Sequence, residues 1–218
     1  MEKIIILNAL KKTIYKYKGK ACNMRHDKPD TIQELWRESC VLVDQEYFIE
    51  AIPKLQQCLE MLEMLDEPEN KGRVICELGY CFLRLNWYNE AVQIYSAYLK
   101  DFPFDTDARF FLASAYGSMK WTDESIKEVK IILNLDPTDA LAYHELGICY
   151  KDKGWYNEAL EALNEAKETA LEFGTQEERE VIEKTLSKLE ADMGKREYDK
   201  LRVLFLLAVL MAMKKKKR

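Results

Sequence analysis

Apolar positions along this chain recur in stripes with helical spacing, and the stripes come in facing pairs. The clearest is Ile75, Leu78, Gly79 and Phe82, at i, i+3, i+4 and i+7, which is one face of an α-helix. A turn at Asn86 follows. Ala91, Tyr95 and Tyr98 then form a facing stripe, and Pro103 stops that second helix, since proline lacks the amide that a helix interior needs. Moving 34 residues on, the stripes read Arg109, Leu112, Ala113, Tyr116 and then Ser125, Val129, Ile132, with Pro137. A further 34 residues give Tyr143, Leu146, Gly147, Tyr150 and then Ala159, Leu163, Ala166, with Leu171 in place of the proline.

The turn inside each pair repeats as well. Trp-Tyr-Asn-Glu-Ala occurs at 87–91 and again at 155–159, with a degenerate copy at 121–125 and an earlier one at 47–51. The shared glutamates Glu50, Glu90, Glu124 and Glu158 are 40, 34 and 34 residues apart. A period of that size signals stacked helical repeats, each unable to bury its apolar face alone. The expected fold is all-α: a right-handed superhelical solenoid of antiparallel helix pairs with a C-terminal capping helix. The pairs are placed at 32–71, 72–105, 106–139 and 140–173, within a repeat region of 31–173. Gly79, Ala113 and Gly147 mark the close approach within each pair, with Ala91 and Ala159 opposite. A larger side chain there would overpack the pair at about 1–3 kcal/mol. Asn86 and Gly154 suit the left-handed backbone that ends a first helix, and Lys120 holds the same position less favourably.

The succession Leu78, Gly79, Phe82, Ala91, Tyr95 and Pro103 resembles the tetratricopeptide repeat family, over about residues 32–173. The first copy departs most, with Glu38 and Ser39 in place of Leu-Gly and six additional residues that lengthen its second helix or the following turn. The resemblance implies a protein–protein interaction module with no catalytic role, whose first helices line a concave groove. By the repeat shift the groove positions are Gln33, Trp36, Cys40 and Val43; Arg73, Cys76, Tyr80 and Leu83; Asp107, Phe110, Ser114 and Gly117; and Leu141, His144, Ile148 and Lys151. An exposed apolar-aromatic stripe of this kind suits an extended or helical peptide with apolar anchors. The alternative occupant is the chain's own N-terminal segment or tail. Some family members clamp a C-terminal carboxylate with lysine and asparagine. Here Trp36, Cys40, Glu77 and Phe111 stand at those positions, so that ligand is not expected.

Flanking segments add what the repeat does not explain. In 1–30, Leu7, Leu10, Ile14 and Tyr17 share a helical face, which suggests a helix packed on the first repeat or on a second copy, making a homodimer. Ile4 to Ile6 leave a strand open. Glu2 and the missing small-residue cleavage site speak against a signal peptide. Thr31 with Glu34, and Thr175 with Glu178, have capping-box spacing. Ile182, Leu186, Leu189 and Met193 predict a capping helix over 174–194, interrupted at Gly194.

The tail, 195–218, holds eleven consecutive apolar residues from Val203 to Met213 between basic flanks. As a helix the run spans about 16 Å, against a hydrocarbon core of about 30 Å. Three readings stand: a helix buried on the array or in a dimer, a short membrane anchor giving weak membrane association through 195–218, or an end without a role.

The net charge is −5, yet residues 1–28 carry +6 and residues 195–218 carry +7, leaving −18 on the body. An acidic body repels phosphate backbones, so nucleic acid is not the expected partner. A protein or peptide is. None of the six cysteines forms a Cys-x-x-Cys pair, and only His26 and His144 could join them. Reduced thiols packed as small hydrophobes in a cytoplasmic protein are therefore expected, without metal or cofactor. No phosphate loop, dinucleotide glycine pattern or nucleophile elbow occurs, and His144-Glu145 lacks the second histidine of a zinc-protease helix. No enzyme is expected. A second functional class remains. The three similar repeats, acidic body, apolar groove and N-terminal helix are similar to the small secretion chaperones of bacterial injection systems. The stretch 107–112, Asp-Ala-Arg-Phe-Phe-Leu, shares in that likeness.

Overall fold

The computed structural model describes residues 30–65 and 68–216. The expected N-terminal helix, and the homodimer through it, lie outside the described residues. Within them the chain is all α-helix, a solenoid of antiparallel pairs. The helices are α1 (Asp30–Asp44), α2 (Phe48–Met64), α3 (Pro68–Arg84), α4 (Tyr88–Asp101), α5 (Thr106–Ser118), α6 (Thr122–Leu135), α7 (Ala140–Asp152), α8 (Tyr156–Phe173) and α9 (Gln176–Lys216). Each packs on its neighbours in sequence. The first helices of successive pairs also touch: α1 with α3, α3 with α5, α5 with α7, and α7 with α9. Second helices of successive pairs make no comparable contact among the described residues. The first helices therefore form the inner layer and the array curves around them.

The small residues sit where the sequence put them. A Cβ on Gly79 would lie 2.5 Å from Tyr95 Cε2 and closer still to Cζ. One on Gly147 would lie 2.7 Å from Leu163 Cγ and 3.2 Å from the Ala159 carbonyl oxygen. Tyr95 is fully buried, stacks on Phe111 at 5.5 Å and donates to the Cys76 carbonyl at 3.0 Å. Its hydroxyl thus satisfies itself inside an otherwise apolar seam.

The repeated tryptophan closes the turn. In the second pair the Trp87 amide donates to Phe82 O and the Asn86 amide to Leu83 O, the two hydrogen bonds of a Schellman cap. Such a cap wants an apolar contact between its outer residue and the last helical turn, and Trp87 stacks on Phe82 at 6.0 Å. Trp121 on Tyr116 and Trp155 on Tyr150 repeat this at 5.9 and 5.7 Å. The cap needs a left-handed residue, and Glu46, Asn86, Lys120 and Gly154 have φ of 65°, 61°, 64° and 78°. A side chain with a Cβ is strained there by about 1–2 kcal/mol. Lys120→Gly should therefore raise unfolding stability in urea by about 1 kcal/mol, because the Lys120–Asp152 ion pair it removes is on the surface and worth little. An unchanged midpoint would contradict this account.

Two expectations are corrected. The first described helix begins at Asp30, so Thr31 lies inside it and does not cap it. The extra length of the first pair, expected in its second helix or the turn after it, does go partly into α2, which has 17 residues against 14 in α4 and α6. Gly194 does not interrupt the last helix: α9 runs unbroken for 41 residues. One glycine costs a helix about 1 kcal/mol, too little to break one anchored by packing. The second capping box is present, with the Thr175 amide donating to Glu178 Oε2 at 2.8 Å and the Glu178 amide to Thr175 Oγ1 at 3.3 Å.

Candidate functional site

The inner layer of α1, α3, α5 and α7 carries the residues expected to line a groove. Their surroundings differ sharply. Trp36, Tyr80, Leu83, Phe110 and His144 are buried, while Arg73, Ser114, Ile148 and Lys151 are half-buried. The aromatic members are therefore part of the core between adjacent repeats, and an exposed aromatic stripe is not what the inner face presents. The physical reason is the close approach of successive first helices. A residue one stripe away from the pair's own seam faces the first helix of the next pair.

Tyr80 shows how this works. Its ring meets Phe48 edge-on at 6.0 Å, and its hydroxyl accepts from Arg84 Nη1 at 2.7 Å. Arg84 also pairs with Glu46 at 3.0 Å and lies 4.7 Å over the Phe48 ring. One guanidinium thus ties the first pair's turn to the second pair. Burial pushes the Tyr80 hydroxyl above its usual range, and the Arg84 bond opposes that shift.

His144 does the same for the end of the array. Its Nε2 lies 2.9 Å from Thr185 Oγ1 on α9. Thr185 donates its only hydroxyl proton to Val181 O at 3.0 Å, so it accepts from His144 and Nε2 carries the proton. Ser125, at the position of Ala91 and Ala159, donates to Ala113 O at 2.9 Å and receives the Cys149 thiol at 3.3 Å.

Two aspartates were missed by the sequence reading. Asp105 and Asp139 cap α5 and α7 by accepting from the Ala108 and Ala142 amides, each at 2.9 Å. Asp105 also accepts from Tyr98 at 2.9 Å. A signal was there: each aspartate stands two residues after Pro103 or Pro137 and just ahead of an apolar stripe, which is an N-cap signature. Burial pushes the Asp139 carboxyl up, against the Ala142 hydrogen bond. Beside Asp105, Arg109 joins Glu128 at 2.5 Å and donates twice to Pro103 O. That locks the chain's passage from α4 to α5.

Burial pushes the Cys58 thiol up to about 11 and Cys149 up to about 12, and Cys81 is raised as well. These thiols stay protonated and poorly nucleophilic at neutral pH. Among the described residues no cluster of His, Cys, Asp or Glu could hold a metal ion, and no helix is long and apolar enough to cross a membrane.

The curved stack of helix pairs closed by aromatic Schellman turns defines an all-α repeat solenoid. The chain carries a tetratricopeptide repeat: the family profile of that repeat matches residues 132–161, from the end of α6 across α7 into α8. No curated protein matches the chain. Solved structures share its fold at low identity. A thermophilic tetratricopeptide repeat protein of Thermus thermophilus is 18% identical, with a TM-score of 0.59, over 75% of this chain and 83% of its own. The type III secretion translocator chaperone SycD of Yersinia enterocolitica is 17% identical, with a TM-score of 0.54, over 61% and 93%. The tetratricopeptide repeat domain of Sgt2 from Aspergillus fumigatus is 18% identical, with a TM-score of 0.51, over 57% and 80%.

Proposed function

We propose that this protein is a non-catalytic scaffold whose inner face holds a peptide segment of a protein partner. The observation that carries the reading is the division of that face. Buried aromatics fix the spacing of the first helices, and a half-buried row of Arg73, Cys76, Ser114, Ile148 and Lys151 faces a ligand. Hydrogen-bonding groups and small apolar patches alternate along that row, which suits an extended chain with a few anchors. Cations at Arg73 and Lys151 favour acidic groups in the bound segment.

The test is photo-crosslinking from single positions in cells. Probes at Ser114 and Ile148 should capture the same protein partner, and probes at the exposed outer positions Gln93 and Lys127 should not. Equal capture from both sets sinks the inner-face assignment. Co-expression with the captured partner then separates two classes. A secretion-type chaperone keeps an otherwise insoluble client in solution, whereas a scaffold binds a partner already folded.

A further inference from the structure

The end of α9 leaves the array. α9 runs antiparallel to α8: Arg179 Nε donates to Ala170 O at 2.8 Å, Ile182 packs with Ala166 and Ala170, and Leu186 and Leu189 pack with Ala159 and Leu163. The Arg196 guanidinium lies 4.1 Å over the ring of Tyr156, the first residue of α8. At Arg196 the helix has therefore reached the edge of its neighbour. It continues to Lys216, and twenty more helical residues carry it about 30 Å further. Among the described residues α9 packs on α8 and α7, with no comparable contact to another helix.

This projecting stretch carries Lys200 and Arg202, then the eleven apolar residues 203–213, then the basic residues 214–218. Eleven consecutive apolar residues on a helix leave no polar face. Leaving such side chains in water forgoes about 1.5–3 kcal/mol for each large one, so a cover is required. The array itself is out of reach, because the helix is continuous and passes its edge. A second copy is disfavoured twice. Two short helices bury far less than the roughly 1,200 Å² of a stable interface, and pairing brings +7 against +7. An anionic lipid surface satisfies both features, since acyl chains take the apolar run and phosphates take the basic flanks at about 1 kcal/mol per Lys or Arg. The run is about 16 Å long against about 30 Å of hydrocarbon, so it does not cross; lying along one leaflet, it keeps the basic residues at both its ends among the phosphates.

We propose that residues 200–216 form a lipid-docking helix that tethers the array to an anionic membrane surface. This is independent of what the inner face binds.

Flotation of the full chain tests it, with phosphatidylcholine vesicles alone and with vesicles also containing phosphatidylserine. Binding should be at least about tenfold stronger with phosphatidylserine and should weaken in high salt. Leu206→Glu with Leu210→Glu should abolish flotation while leaving the thermal melt of the repeats unchanged. The proposal is overturned if the full chain stays unbound, if it binds both vesicles equally, or if the double variant floats as well as the parent. It is equally overturned if the unmodified chain sediments as a dimer that the double variant loses, because the apolar run would then cover itself with a second copy.

Discussion

Replacing Gly79 with alanine should destabilise the protein by about 3 kcal/mol. The added methyl overlaps the ring of Tyr95, which is fully buried, stacked on Phe111 and bonded to the Cys76 carbonyl. The ring cannot swing aside without giving up both contacts. The overpacking cost and a strained hydrogen bond together outweigh the roughly 1 kcal/mol that alanine gains over glycine in a helix. Gly194→Ala is the control. A Cβ there meets nothing within 4 Å, so the same exchange should stabilise α9 by up to about 1 kcal/mol. Urea unfolding of the two variants reads the signs directly. Equal shifts in the same direction would show that helix propensity, and not the Tyr95 seam, decides at residue 79.

That contrast also marks how far the sequence was legible. The pair seams could be read because Gly79 and Gly147 recur at the repeat spacing opposite Tyr95 and Leu163, and each choice is local to one pair. The left-handed turns at Asn86 and Gly154 were readable for the same reason. What one pair does to the next was not. Tyr80, Phe110 and His144 lie one stripe from the seam, and only the spacing between successive first helices decides whether they meet solvent or a neighbour. The continuity of α9 was missed because a glycine was given the weight of a helix stop, although packing on both α7 and α8 anchors the helix before it.

Removing α9 should have the second large effect. A chain ending at residue 175 loses the burial of Ile182, Leu186 and Leu189, together about 6 kcal/mol. Whole domains are stable by only about 5–15 kcal/mol, so the last pair should open. Hydrogen exchange should then show α7 and α8 unprotected while α3 and α4 keep their protection, since repeats lean only on their neighbours. A chain ending at residue 197 should retain protection throughout, because it keeps all three leucine and isoleucine contacts. Protection of α7 and α8 in the shorter chain would mean that the last pair seals itself.

The aromatic turns give the protein an internal set of reporters. Its four tryptophans divide into Trp36, buried in α1, and Trp87, Trp121 and Trp155, one at the closing turn of each later pair and 43–49% exposed. Each of those three indoles packs against the tyrosine or phenylalanine five residues earlier, a contact that exists only while its own turn is closed. Single-tryptophan versions of this chain would light up one station at a time, so the order in which the solenoid unzips could be followed by emission wavelength without any attached dye.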